Sequence, residues 1–168
     1  MTVKTSKGLN LSIFIRSLLL VTSLILLGVG LWGAVVFAPE GAEARGRVHW
    51  QGSMEGSLRD ARKQNKYVLA DVYTDWCGWC KKLDQSTFKD GSMVSYLNSK
   101  FICVKVNAEG SQTNRAIAAK YKVTGFPTAL VFNSRGQYIG RLSGYLDAGQ
   151  YQSALEELIQ HPNPKMAD

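Results

Sequence analysis

Cysteine and histidine are scarce in this 168-residue chain, which has three Cys and two His. That scarcity excludes most metal chemistry. A structural zinc site takes four Cys or His ligands in paired spacing. Beyond Cys77 and Cys80 only Cys103, His49 and His161 remain, and none of them is paired. No metal site and no bound cofactor is therefore expected. Acidic residues are also in the minority, with 13 Asp+Glu against 20 Lys+Arg and a net charge of +7. The surplus basic side chains stand singly or in pairs such as Arg62-Lys63 and Lys81-Lys82, without a stripe and without interleaved aromatics. That is a solvated surface and not a nucleic-acid interface. Internal repeats are absent, and charge disappears altogether between Arg16 and Glu40.

The uncharged stretch is the first positive signal. Leu18 to Ala38 is nearly all Leu, Val, Ile, Gly and Ala, about 21 residues or roughly 30 Å as a helix, which matches a bilayer core. A secretory signal has a shorter apolar region, so the length favours a retained transmembrane anchor over 17–39. Ala42-Glu43-Ala44 before Arg45 fits a small-x-small cleavage site, which keeps a cleaved signal near Ala44 as the alternative. Lys4, Lys7 and Arg16 precede the stretch, and Glu40 and Glu43 follow it, so residues 1–16 are expected in the cytoplasm. Either way the remainder lies outside the cytoplasm, in the periplasm or its equivalent. No cysteine stands between the stretch and Cys77, which excludes lipid attachment at a processed N-terminal Cys.

Trp76-Cys77-Gly78-Trp79-Cys80 carries the chemistry. Two cysteines separated by two residues, where an apolar run gives way to a helix, form a dithiol that can close into a disulfide. Cys77 at the helix start would sit beside unpaired N–H groups and the positive end of the helix dipole, which favours its thiolate. Cys77 is then the exposed, attacking thiol, and the shielded Cys80, one turn on, resolves the mixed disulfide. Half of a zinc site lacks a second ligand pair, and a structural disulfide closing so small a loop would stabilise little.

The remaining elements read off periodicity and turn chemistry. Residues 40–56, rich in Gly, Ala, Glu and Arg, read as a linker. Ser57 is a candidate N-cap for a helix to about Asn65. Lys66 to Tyr73 and Phe101 to Val106 are short apolar strands. The helix after Cys77 carries Leu83 and Phe88, is interrupted at Asp90-Gly91, and resumes to Leu97. Asn114 to Tyr121 is helical. Thr128 to Phe132 and Tyr138 to Leu142 form a hairpin around Asn133-Ser134-Arg135-Gly136. Asp147 caps a last helix with Tyr151, Leu155, Leu158 and Ile159 at helical spacing. Strands alternating with helices, then a hairpin and a closing helix, predict an α/β domain with a mixed sheet covered on both faces. The domain is expected over 57–160, with a tail at 161–168.

Three separated segments resemble the thioredoxin fold: Asp71 to Lys81 around the cysteines, Val104-Lys105-Val106-Asn107, and Gly125-Phe126-Pro127-Thr128. Ser86-Thr87-Phe88-Lys89-Asp90 and Ser143-Gly144-Tyr145-Leu146-Asp147-Ala148 are similar to the C-terminal, extracytoplasmic domain of the DsbD-type membrane thiol:disulfide interchange reductases. No multi-span electron-carrying part like that of those reductases is expected beside this domain, and Gly-Trp stands between the cysteines where thioredoxin has Gly-Pro.

The resemblance implies roles. Pro127 would be the family's cis-proline, with the backbone of Phe126 open to an extended substrate. Asp71 would be the buried carboxylate that exchanges a proton with Cys80, with Lys105 as its charge partner. Trp76, Gly78 and Trp79 would form the substrate-facing surface. Cys103, in an apolar run, is expected to be buried and inert. The function expected is an anchored or exported thiol–disulfide oxidoreductase that reduces disulfides in exported proteins, supplied by a separate membrane or thiol electron donor. Two alternatives stand beside it: an oxidant of exported proteins, and a client-binding assembly factor in which redox chemistry is secondary. Gly78-Trp79 lacks the charged or His dipeptide that stabilises the thiolate in oxidants.

Overall fold

The computed structural model describes residues 46–164. The expected cytoplasmic segment 1–16 and anchor 17–39 lie outside those residues. Among the described residues no helix is long and apolar enough to cross a membrane.

Five strands form the sheet: β1 (Trp50–Gln51), β2 (Tyr67–Tyr73), β3 (Phe101–Asn107), β4 (Thr128–Phe132) and β5 (Tyr138–Ser143). Their spatial order is β1-β3-β2-β4-β5. β1 and β2 run parallel to β3, whereas β4 runs antiparallel to both β2 and β5. The helices are α1 (Met54–Gln64), α2 (Gly78–Gln85), α3 (Gly91–Lys100), α4 (Gln112–Lys120) and α5 (Ala148–Gln160), with a 3₁₀ turn at Thr87–Lys89.

Side-chain alternation divides the core. Val68, Ala70 and Val72 of β2 and Ile102, Val104 and Val106 of β3 pack with Ala61 of α1 and Ala118 of α4. Leu69 and Cys103 face the opposite way, against Leu83 of α2, Leu97 of α3, and Tyr151 and Leu155 of α5. Asp71 and Lys105 share the parity of Leu69 and Cys103, and the β2–β3 register sets them side by side. A charged pair is thus built into the layer beneath α2.

Helix ends shift by up to three residues at Lys100 and Gln112, and three other boundaries differ more from the expectation. The segment read as a linker contributes Trp50 and Gln51, which pair with Cys103 and Val104 at the sheet edge, and Val48 is buried. The domain therefore begins before residue 57. Helix α1 starts one turn early, capped by Ser53, whose hydroxyl accepts from Gly56 N at 3.3 Å. Met54, Leu58 and Ala61 all face the core at helical spacing, so the apolar stripe extends through that turn. Ser57 is buried inside the helix, where its hydroxyl donates to Gln51 Oε1 at 2.8 Å. Finally, α2 stops at Gln85, ahead of Asp90-Gly91. The Ser86 hydroxyl bonds back to Lys82 O at 2.7 Å and the Thr87 hydroxyl to Leu146 O at 2.7 Å, so side chains compete with the helical ladder. Asp90 then caps α3, accepting from Met93 N at 3.0 Å. The hairpin and the α5 cap stand where expected, the latter completed by a reciprocal bond in which Gln150 Oε1 accepts from Asp147 N.

Candidate active site

Strand β2 ends at Tyr73, and a short turn delivers Cys77 as the residue that caps α2. Cys77 N donates to Thr74 O at 3.2 Å, and Cys77 Sγ accepts from Cys80 N at 3.1 Å. Cys77 and Cys80 are joined in a disulfide with Cα atoms 5.3 Å apart. Relative exposures of 4% and 3% do not separate an open Cys77 from a shielded Cys80 in this oxidised form. What separates them is position. Cys77 stands at the helix start, where free N–H groups and the dipole favour its thiolate after reduction. Cys80 lies inside the first turn. Gly78 is exposed, and nothing stands within 4 Å of where its Cβ would be, so the space over the first turn is open.

Aromatic groups flank the disulfide. Trp76 and Trp79 are 66% and 57% exposed and are the large hydrophobic residues that the described surface leaves out of the core. Trp76 packs edge-on against Phe126 at 5.9 Å, and its Nε1 donates to both carboxylate oxygens of Glu109 at 3.0 Å. Trp79 leans on Tyr145 at 5.6 Å. The Phe126–Pro127 bond is cis, Pro127 is buried and Phe126 is half-buried. Gly144 N donates to Pro127 O at 2.8 Å, which ties the end of β5 to this loop. Gly144 has φ 85°, a left-handed conformation that glycine adopts without strain, and the turn swings Tyr145 toward Trp79.

The charged layer sits behind. Asp71 is 1% exposed, and its Oδ2 accepts from Lys105 Nζ at 2.6 Å. Asp71 Oδ1 is buried without a partner among the described residues. Burial pushes the Asp71 carboxyl above the usual carboxylate range, and the neighbouring ammonium only partly offsets this. Lys105 also binds Asp84 Oδ1. Burial works against its charge, but the two carboxylates outweigh burial and raise its pKa. The ammonium lies 4.6, 5.2 and 5.4 Å from the ring centres of Trp50, Tyr73 and Phe88, an arrangement of cation over aromatic faces. Cys103 is buried, and burial pushes its thiol far up, so it stays protonated and unreactive. Among the described residues no group of three or more His, Cys, Asp or Glu could hold a metal ion.

The structure thus brings Asp71 to Lys105, Trp76 to Phe126, and Cys77 to Cys80. Sequence reasoning missed Asp84, Tyr145, Glu109 and Trp50. Asp84 carried a usable signal, since it follows Cys80 by four residues and shares its helix face. Trp50 gave none, because a two-residue strand has no period.

Comparison with known proteins agrees with this geometry. Residues 54–159 match the thioredoxin-like domain family. The thiol:disulfide interchange protein DsbD of Yersinia pestis is 34% identical over 99 residues, which make up 57% of this chain and 16% of that protein. The chain therefore spans only a small part of that relative. A protein disulfide-isomerase of Hordeum vulgare is 34% identical over 89 residues, 53% of this chain and 17% of its own length. The oxidised C-terminal domain of DsbD from Neisseria meningitidis superposes with a TM-score of 0.53 at 21% identity, covering 65% of this chain and 98% of that one. At that identity the likeness speaks for the fold alone.

Proposed function

The chain belongs to the thioredoxin-like family, and from that premise we propose that it reduces disulfides of exported proteins as a membrane-anchored thiol–disulfide oxidoreductase. The observation that carries the reading is the Cys77–Cys80 disulfide closed across the first turn of α2 between two exposed tryptophans. In the reduced enzyme the Cys77 thiolate attacks one sulfur of a client disulfide, and the other client sulfur leaves as a thiolate. Cys80 then attacks Cys77 Sγ, the second client thiolate leaves, and Cys77–Cys80 closes. The client gains two electrons and the enzyme loses two. Asp71, buried and with its carboxyl pKa raised by that burial, is the group we assign to exchange a proton with Cys80. A separate membrane or thiol donor restores the dithiol.

Two features support the reducing direction. Nothing charged stands between the cysteines, and on the sheet side of α2 the two carboxylates of Asp71 and Asp84 share the single ammonium of Lys105, an excess of negative charge that works against a thiolate. A thiolate stabilised by the helix start alone, without a charged group between the cysteines, makes the dithiol give up its electrons more readily than in a strong oxidant. The anchor at 17–39 rests on the uncharged stretch and on the basic residues before it.

Equilibration against a dithiothreitol buffer tests the direction: the potential should fall nearer thioredoxin's value of about −270 mV than the roughly −120 mV of a strong oxidant. A value at the oxidising end selects the oxidant reading. Cys80→Ser should accumulate mixed disulfides of exported proteins on non-reducing gels. A Cys77→Ala, Cys80→Ala double variant that captures the same proteins and restores the deletion phenotype would replace the enzyme with a client-binding factor. Carbonate extraction tests the anchor, and a soluble form beginning at Arg45 would replace it with a cleaved signal.

A further inference from the structure

We propose that Trp79, Tyr145 and Phe126 form a side-chain subsite that selects clients bearing a large apolar residue beside their disulfide cysteine, in acidic rather than basic surroundings. The proposal rests on the oxidoreductase reading and deepens it. A cavity of about 310 Å³ opens at Trp79, the residue before Cys80, and is walled by Trp79, Phe126, Gly144 and Tyr145. It shares Phe126 and Gly144 with a second cavity of about 370 Å³ that continues along Gly125, Thr128 and Ser143. Together they make a groove that runs from Trp79 to Ser143 and could hold an extended strand with one side chain in the aromatic end.

The aromatic end is held in place. Tyr145 is bracketed by the Gly144 N to Pro127 O bond at 2.8 Å and the Thr87 hydroxyl to Leu146 O bond at 2.7 Å. Its own hydroxyl lies 3.2 Å from Ser86 Oγ. Tyr145 therefore stays where it is when the pocket fills, so filling it orders little that is not already ordered. Trp79 is 57% exposed, an apolar area that a client side chain would remove from water.

Charge gives the occupant its second property. Lys82 Nζ stands 5.0 Å from the Trp79 ring centre and 4.7 Å from that of Tyr145, and Lys81 beside it is exposed. The other flank of the disulfide is acidic, with the exposed Asp75 and Glu109 beside Trp76. A client whose apolar residue enters at Trp79 meets the Lys82 ammonium there, so a neighbouring carboxylate is attracted and a neighbouring ammonium repelled.

The test uses short peptides closed by one disulfide, with Phe or Ala beside one cysteine and Glu or Lys next to that residue. The second-order rate of reduction by the pre-reduced protein is read by acid quench and mass spectrometry. Phe should exceed Ala by roughly tenfold, the discrimination a hydrophobic pocket of this kind supplies. That ratio should fall below about twofold in Trp79→Ala and in Tyr145→Ala and persist in Tyr145→Phe. Because the ratio is taken within each variant, a general change in reactivity cancels. Glu should be favoured over Lys a few-fold, and Lys82→Glu should reverse the preference. Equal rates for Phe and Ala, or a ratio that survives both alanine variants, overturn the subsite while leaving the oxidoreductase intact. Failure to reduce any of the peptides overturns the oxidoreductase reading, and the subsite with it.

Discussion

Replacing Asp71 with Asn in the oxidised protein should make the domain more stable, and increasingly so as the pH rises. Asp71 sits 1% exposed in the middle of β2 with its Oδ1 unpartnered. Leaving one oxygen of a buried carboxylate unsatisfied costs about 1–3 kcal/mol. Two effects oppose each other in the substitution. Loss of the 2.6 Å contact with Lys105 removes a favourable attraction. Lys105 is not orphaned, however, because it keeps Asp84, whose side chain is 45% exposed and reaches water. Burial is the larger influence on the Asp71 carboxyl and pushes it up against the pull of the ammonium. Relief of that burden should therefore win, by about 1–3 kcal/mol near pH 8.

The pH dependence gives the sharper test. A carboxyl whose folded pKa exceeds its unfolded value holds its proton better in the folded state, so wild-type stability declines as pH rises from the unfolded pKa through the folded one. The Asn variant lacks that decline, so the difference between the two should be smallest near pH 4 and grow to a plateau. Lys105 is raised as well, so its contribution is lost only in the alkaline range as pH passes its folded pKa, and the series should stop at pH 8. Urea unfolding of both oxidised proteins at several pH values measures this, with equal m-values required. A variant less stable than wild type at pH 8, or a difference that does not change with pH, would refute the argument that burial dominates at Asp71.

Other outcomes follow from single contacts. Gly140 has φ 146° and its absent Cβ would overlap Leu158 Cδ1, so Gly140→Ala should cost roughly 2–3 kcal/mol by chemical denaturation. Adding Leu158→Ala should recover the clash but not the backbone strain, and full recovery would show that strain is negligible there. After reduction at neutral pH, iodoacetamide should label Cys77 well before Cys80, judged by peptide mapping; equal rates would contradict the helix-start argument. Cys103 should remain unlabelled until urea unfolds the chain, because burial keeps its thiol protonated. Asp147→Ala removes the side-chain half of the capping box on α5, the bond from Gln150 N, and should lower stability by about 1 kcal/mol.

The amino-acid sequence by itself determined whatever depends on near neighbours. Apolar runs marked β2 to β5 because β-branched and aromatic residues crowd them, Asp90-Gly91 marked a break in the helical pattern, and Asp147 marked a helix start because a short acceptor satisfies free N–H groups locally. The Cys77–Cys80 spacing announced its chemistry because one helical turn is a local length. Asp71 drew attention as a charge in an apolar strand, a cost that requires a partner. Tertiary structure decided the rest. Trp50 and Gln51 became a strand only through Cys103 and Val104, far along the chain. Asp84 gained its meaning from Lys105 on another element, and Tyr145 from a glycine turn tied to the carbonyl of Pro127. Strand register, and the angle at which a loop crosses a helix, are set by the packing of distant faces. No local pattern encodes them, so the dithiol was legible in the chain while the aromatic pocket and the paired carboxylates around it were not.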